Sequence, residues 1–532
     1  MKANVKIAII LLLAAAAASP RLFARDRTAL LENFEFRGER FALEAVFSAA
    51  GAGLLLQGRS PAWLSAGMKG ENPLLGVRFG RDNFYVFWLN YHHRSIRLAY
   101  YDHRCRRSER LPLKGFSAIG FPEVIERAGR PFALLFLGDL SGNNDLFLYE
   151  IGSGALDRLT DTPYSEKSFT WREIPAGLEF ETVNLRGRSR YRFDVSRRQS
   201  TLLEEEKRAF PRRKTANPSG QEYCNTYVGF GDSITWGQIE GVQRLDLCFL
   251  TQMRDTFLAL NYGPADFVNL GVPGDETYEA ALRVDEDLDA HPALYFLMML
   301  GVNDVWRTGF SLASSLESLS YIIDAALERD MRVIVSTLTP RKDIFAAYQY
   351  YWDNLRSLSA GILGLAAQKG TSSIDTLSAI MGTDPPDGWK DLLETPGTVI
   401  IDGEEVVVKG NHPNGEGHAL IASLFADALV RFPPLPPQGI KVIDPKNTVS
   451  RTVAWEPCLE SDFDHFAIEF GFIPGDLPHA LKTTASFHVF GLFPFLPALD
   501  FRIQTVDRSG NASGFINPGS TAKRAPRPGR RD

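Results

Sequence analysis

Residues Tyr227–Gln238 read YVGFGDSITWGQ. A short apolar run enters Gly231-Asp232-Ser233, so a serine lands just past the end of a predicted strand. By itself such a segment is an ordinary turn, and its neighbours decide its meaning. Between residues 221 and 432, apolar strands alternate with amphipathic helices. Residues 244–260 (RLDLCFLTQMRDTFLAL), a stretch near Tyr278–Leu288 and residues 311–330 (SLASSLESLSYIIDAALERD) carry helical spacing. In the last of these, Leu312, Leu316, Leu319, Ile323 and Leu327 fall on one stripe. Between the helices, DFVNLGV, ALYFLMML and RVIVSTLTP are continuous apolar runs. Strands apolar on both faces, each followed by a helix, predict a parallel sheet covered on both sides.

A parallel α/β sheet presents its chemistry at the carboxyl ends of its strands. Four polar motifs fall at such ends: Gly231-Asp232-Ser233, NLGVPGDET (Asn269–Thr277), LGVNDV (Leu300–Val305) and GNHPNGEGHALIA (Gly410–Ala422). A serine hydroxyl is a weak nucleophile and needs an adjacent base. An imidazole titrates near neutral pH, and His412 supplies one. Attack on an ester carbonyl builds an oxyanion that requires fixed donors. Gly274 permits close approach of a backbone N–H, Asn303 brings a side-chain amide, and the Ser233 backbone N–H is a third donor. Pro413 restricts the backbone of His412. Each motif alone is common; their order within one α/β region is not. His418 reads as a surface residue, and Trp236 and Trp306 either line a cleft or pack in the core.

The blocks GDSI, NLGVPGD, GVND and HPN resemble the SGNH hydrolases, also called GDSL esterases and lipases, over residues 221–432. The resemblance implies a flavodoxin-like three-layer α/β/α sandwich. It makes Ser233 the nucleophile and His412 the general base, with Gly274 and Asn303 completing an oxyanion hole and no metal or cofactor. The family usually has an aspartate three residues before the histidine, where this chain has Lys409. A lysine there opposes an imidazolium. Three readings stay open. Asp402, at the turn of a predicted hairpin TVIIDGEEVVV, replaces the missing acid. Alternatively a Ser–His dyad is oriented by a backbone carbonyl, or the site is inactive and serves binding.

The flanks are strand-like. Phe84–Leu111, Phe132–Asp161 and Gly177–Leu203 each hold an apolar strand, a polar turn and an alternating strand. Tyr101, Tyr149 and Phe193 occupy matching places, a propeller-blade period. A weaker copy lies around Arg40–Gly58. The middle copy, SGNNDLFLYEIGSGALDRLTD, resembles the blades of TolB-type β-propellers, so residues 25–205 read as propeller-like repeats, with an irregular β-sandwich as the alternative. Residues 206–220 form a Pro-containing linker and 433–439 a stiff Pro-rich one. Residues 440–518, with TVAWEP, DHFAIEF and LDFRIQTVDRSGNAS, resemble a fibronectin type III module whose core tryptophan is Trp455. Residues 519–532 read as a disordered tail.

Residues 1–24, with Lys2 and Lys6 before a short apolar run ending in small residues, read as a cleavable export signal. No membrane span is expected after cleavage, and the net charge of −6 gives no sign of a nucleic-acid surface. Export permits disulfides. Of Cys105, Cys224, Cys248 and Cys458, the pair Cys224–Cys248 is favoured, against four separate thiols. The expected function is an exported serine esterase acting on acyl or acetyl esters of a small molecule, carbohydrate or lipid. The rival is a catalytically inactive binding or scaffold protein that works through its β-modules. Oligomeric state is left open.

Overall fold

The computed structural model describes residues 27–208 and 222–517, apart from 49–50, 59–60, 69–71, 82, 93–94, 102–107, 112, 114, 141, 260–264, 307–309, 343–348, 383–387, 396, 402–403, 409, 444–449, 472–474 and 492–498. The export signal, most of the first linker, the tail, Cys105, Asp402 and Lys409 lie outside the described residues.

Five strands build an all-parallel sheet: β1 (Thr226–Gly231), β2 (Asp266–Gly271), β3 (Tyr295–Met299), β4 (Arg332–Ser336) and β5 (Ser372–Ile374), in the order β2-β1-β3-β4-β5. The helices are α1 (Ser233–Trp236), α2 (Phe249–Ala259), α3 (Thr277–Ala290), α4 (Val302–Trp306), α5 (Leu312–Leu327), α6 (Gln349–Lys369), α7 (Thr376–Met381) and α8 (Gly415–Leu429). Side chains alternate faces along a strand. Val228, Phe230, Phe296, Met298, Val333 and Val335 therefore share one buried cluster with α3, α5 and α6. Tyr227, Tyr295, Leu297, Met299, Ile334 and Ile374 share the other with α2 and α8. Both faces are covered, as the continuous apolar runs predict. The helix expected over 244–260 begins only at Phe249, because Arg244–Cys248 turn back toward the end of α1.

Before this unit stand four successive antiparallel meanders. Their strands are Arg27–Phe36, Glu39–Ser48, Gly51–Gln57 and Ala62–Met68; then Asn72–Phe79, Phe84–His92, Ser95–Tyr101 and Ser108–Leu111; then Glu123–Arg127, Arg130–Asp139, Asn144–Glu150 and Leu156–Arg158, with Ala118–Ile119 added; and last Ser168–Ile174, Gly177–Asn184, Gly187–Asp194 and Gln199–Lys207. Tyr101, Tyr149 and Phe193 each lie on the third strand of a meander. The last two meanders touch the amino end of α5. Ser311 Oγ donates to Asp139 Oδ2 at 3.1 Å, the Ser165 N–H donates to Glu317 Oε2 at 3.3 Å, and Lys167 Nζ donates to Ser314 Oγ. Burial of the Lys167 ammonium pulls its pKa down, while Asp304, Glu276, Glu317 and Glu279 act against that shift.

After the unit come two three-stranded antiparallel sheets. One holds Lys441–Ile443, Ser450–Ala454 and Phe487–Gly491; the other holds His479–Thr483, Phe463–Gly471 and Asp500–Asp507. Both contribute to one core around buried Trp455, whose ring meets Phe466 edge-on. These strands attach at the amino ends of the parallel sheet. Asn225 Nδ2 donates to the Leu459 carbonyl at 2.8 Å, and the Ser461 N–H donates to Asn225 Oδ1 at 2.9 Å. Glu460 is buried there, 3.7 Å from Arg332 Nη1, with the Leu435 N–H on its Oε1.

Burial pushes the Glu460 carboxyl up to about 7, outweighing Arg332, while Asp462 and Asp507 add to the rise. A carboxyl raised on folding contributes stability below its unfolded value, near 4.5, that is lost as pH rises through 7. Glu460→Gln removes that titration. Its melting temperature relative to wild type is expected to climb between pH 5 and pH 8 by a few degrees. A difference constant across that range refutes the expectation.

Three cysteines stand as free thiols: Cys224, Cys248 and Cys458. The favoured Cys224–Cys248 pair is thus corrected. Cys224 precedes the start of β1, whereas Cys248 packs beneath α1 at the other end of that strand, its Sγ 3.5 Å from the Thr235 carbonyl. Among the described residues no helix is long and apolar enough to cross a membrane.

Candidate active site

The strand order reverses direction at β1, and in open α/β sheets such a switch point, at the carboxyl ends of β1 and β3, is where ligands bind. Ser233 opens α1 directly beyond β1. Asp232 caps that turn, its Oδ1 accepting the Ile234 N–H at 2.9 Å. Burial pushes the Asp232 carboxyl up to about 7, and its Oδ2 has no partner among the described residues. Gly237, at φ +89°, ends the helix in the left-handed conformation. From β2, Asn269 clamps the helix by donating from Nδ2 to the Thr235 carbonyl at 2.8 Å.

Ser233 and His412 lie 179 residues apart in sequence, yet Ser233 Oγ is 2.8 Å from His412 Nε2. Both are buried, at 6% exposure each. The bond is of normal length for a hydroxyl donating to an unprotonated ring nitrogen. On the far side of the imidazole, Nδ1 is 3.6 Å from Glu394 Oε2. Glu394 was not among the sequence candidates. Asp402, which was, falls outside the described residues. Its hairpin is present, with Gly397–Ile401 and Glu404–Val408 paired antiparallel and Ile401 opposite Glu404.

Of the expected oxyanion donors, Gly274 lies on the loop after β2 and Asn303 on α4, which follows β3. Gly274 is exposed and holds φ +88°. A Cβ built there meets nothing within 4 Å, so the glycine is required by backbone conformation and not by crowding. Asn303, on α4, donates from Nδ2 to the Asp275 carbonyl at 2.9 Å, which ties it to the Gly274 loop and leaves its second amide hydrogen unused by that bond. As the first helical residue, Ser233 has no i−4 helical carbonyl for its own N–H.

Two supports were missed from sequence. Arg283, on α3, reaches the Gly231 carbonyl at 3.1 Å, Asp275 Oδ2 at 2.8 Å, and the carboxylate of Asp287, with its guanidinium 4.2 Å from the Phe230 ring centroid. It therefore joins the end of β1 to the Gly274 loop. Buried Asp304 accepts the Thr277 N–H at 2.9 Å, the Thr277 hydroxyl at 2.5 Å and the Ser315 hydroxyl at 2.8 Å. It locks the Gly274 loop to α4 and α5.

His418 is corrected from surface to core. It is fully buried on α8, its Nδ1 accepting the Phe249 N–H at 3.3 Å. Burial, and then the proximity of His412, holds its imidazole down to about 3, so it is neutral. Trp306 packs on the α3–α5–α6 face, edge-on to Tyr351. Trp236 is half-buried.

A serine and a histidine in hydrogen-bond contact thus lie at the switch point of a parallel sheet ordered β2-β1-β3-β4-β5. Residues 230–420 match the GDSL-like Lipase/Acylhydrolase family and form a domain of that kind. The chain is 23% identical over 230 residues to the uncharacterized lipoprotein YqeF of Bacillus subtilis (strain 168), a match covering 41% of this chain and 93% of that protein. Among solved structures it is similar to the lipase/acylhydrolase from Enterococcus faecalis, at 19% identity and TM-score 0.32, covering 38% of this chain and 94% of that one. It is also similar to the acetyl xylan esterase AlAXEase, at 18% identity and TM-score 0.31, covering 38% and 99%.

Proposed function

We propose that the chain is an exported serine esterase that hydrolyses carboxylic esters through Ser233 and His412. The observation that carries this reading is the 2.8 Å approach of the serine hydroxyl to the imidazole. Ser233 Oγ attacks the ester carbonyl carbon, and its proton passes to His412 Nε2. The carbonyl oxygen becomes an oxyanion facing the N–H groups of Ser233 and Gly274 and the Asn303 amide. As the tetrahedral adduct collapses, the proton on Nε2 goes to the departing alkoxide, which leaves as the alcohol. Water, deprotonated by the same nitrogen, then attacks the acyl-serine. The carboxylic acid departs and Oγ recovers its proton.

Acyl and acetyl esters both fit this chemistry. The flanking β-regions suggest a carbohydrate or other polymer as the alcohol partner, by analogy of architecture. We read the four meanders as propeller-like repeats and the strands around Trp455 as a fibronectin type III-like module. The apolar run after Lys2 supports export. The test is turnover of p-nitrophenyl esters of rising acyl length by the chain without residues 1–24. Ser233-dependent hydrolysis is expected, with the length profile separating acetyl esterase from lipase. Absence of Ser233-dependent turnover across the series defeats the reading.

A further inference from the structure

The Ser233–His412 pair leaves one catalytic need unexplained, namely what fixes the imidazole and balances its charge once it has taken the serine proton. The position three residues before His412, where the resembling family keeps an aspartate, is Lys409. We infer that Glu394, eighteen residues upstream of His412, is the positioning carboxylate of this site. This rests on the esterase reading above and deepens it.

The placement is built by the backbone. Residues 392–394 lie antiparallel to 412–414: the Glu394 N–H donates to the His412 carbonyl at 3.0 Å, the Asn414 N–H donates to the Leu392 carbonyl at 3.0 Å, and Leu393 bridges Pro413. Leu393 is buried with Ile380 and Trp389, which anchors the segment. Glu394 is 3% exposed. Its Oε1 accepts the Glu240 N–H, and its Oε2 faces His412 Nδ1 at 3.6 Å. Glu240 sits at φ +53° in the tight hairpin of Gln238–Ile239 and Val242–Gln243, which directly follows α1. The hairpin that follows the helix of Ser233 therefore holds one oxygen of the carboxylate while the other faces the imidazole.

A buried carboxylate needs compensation. The Glu240 N–H supplies one bond, and the imidazolium formed during turnover supplies a charge partner. The 3.6 Å separation is an ion-pair distance slightly beyond a hydrogen bond, and such contacts shorten when the ring becomes charged. Among the described residues, His418 on α8 also interacts electrostatically with this ring, and it is neutral. Glu394 does not touch the ester. It acts through His412, setting which ring nitrogen bears hydrogen and stabilising the protonated ring.

The experiment compares Glu394→Gln, Glu394→Asp and Asp402→Asn with wild type on p-nitrophenyl acetate across pH. Glu394→Gln is expected to lower kcat/KM by about 10²- to 10⁴-fold. The acid limb of its pH profile should move to lower pH, because the imidazolium has lost its counter-charge. Glu394→Asp should restore part of the loss, and Asp402→Asn should stay within about twofold of wild type. A folded Glu394→Gln protein with near-wild-type turnover, an unmoved acid limb, or the main loss falling on Asp402→Asn overturns the inference. If Glu394→Gln does not fold, the wild-type enzyme decides. A low-field imidazole N–H proton resonance at acid pH that disappears in His412→Gln is expected, and its absence overturns the inference. Wild type without Ser233-dependent turnover instead defeats the esterase reading, so the two failures are distinct.

Discussion

Ser233→Ala is expected to lower kcat/KM for p-nitrophenyl acetate by about 10⁴- to 10⁶-fold, with a melting temperature close to wild type. The loss is large because covalent attack disappears while the oxyanion donors remain. The stability cost is small because, among the described residues, one side-chain hydrogen bond, from Oγ to His412, is removed, and the Asp232 cap that holds α1 uses a different side chain. His412→Ala should lose a comparable amount, and the double variant little more, since groups acting as one unit do not add. Retention of more than about a hundredth of wild-type turnover by Ser233→Ala, far above the expected residue, shows that the nucleophile lies elsewhere.

The second large effect concerns a residue with no side chain. A Cβ on Gly271 stands 2.1 Å from the Trp236 backbone nitrogen and 2.6 Å from both the Thr235 carbonyl carbon and the Trp236 Cα. All three atoms belong to the backbone of α1, so no flexible group can yield. Gly271→Ala must push the helix that carries Ser233 by about 1 Å, and misplacements of that size cost about 10²-fold in rate. The overpacking itself costs about 1–3 kcal/mol. At Gly274 the Cβ meets nothing, and an alanine there has only the left-handed backbone to oppose it, about 1 kcal/mol. Gly271→Ala should therefore lose both rate and melting temperature. Gly271→Ala with wild-type kcat would show that α1 is not held against β2 as described.

The parallel sheet was legible because its signal is local and repeated. Each core strand is apolar on both faces, and each is followed by a helix. The blocks around Ser233, Gly274, Asn303 and His412 were legible as motifs at strand ends. Glu394 was not, because its place depends on a backbone pairing between 392–394 and 412–414 with a hairpin between them, and LLETPG looks like any loop. Arg283 was hidden for a related reason, since its partners come from β1 and from the loop after β2. His418 could have been read correctly. With Ile421, Ala422 and Phe425 it follows a helical stripe at i, i+3, i+4 and i+7, and those residues are buried. The Cys224–Cys248 pairing is misleading in the sequence because two cysteines of one region can lie at opposite ends of β1, as these do.

The two β-regions grip the α/β unit at different places. The amino-terminal meanders meet the start of α5, whose Ser315 shares Asp304 with the Gly274 loop. The carboxy-terminal strands meet Asn225 and Arg332, where β1 and β4 begin. A six-residue strand spans about 20 Å, and Ser233 lies at its other end. In evolutionary terms the two attachments are unequal. The carboxy-terminal region can be exchanged for another while Ser233 and His412, at the far end of β1, keep their geometry. A change in the meanders reaches, through α5 and Asp304, the Gly274 loop, so if that loop receives the oxyanion as proposed, new amino-terminal partners and altered turnover are inherited together.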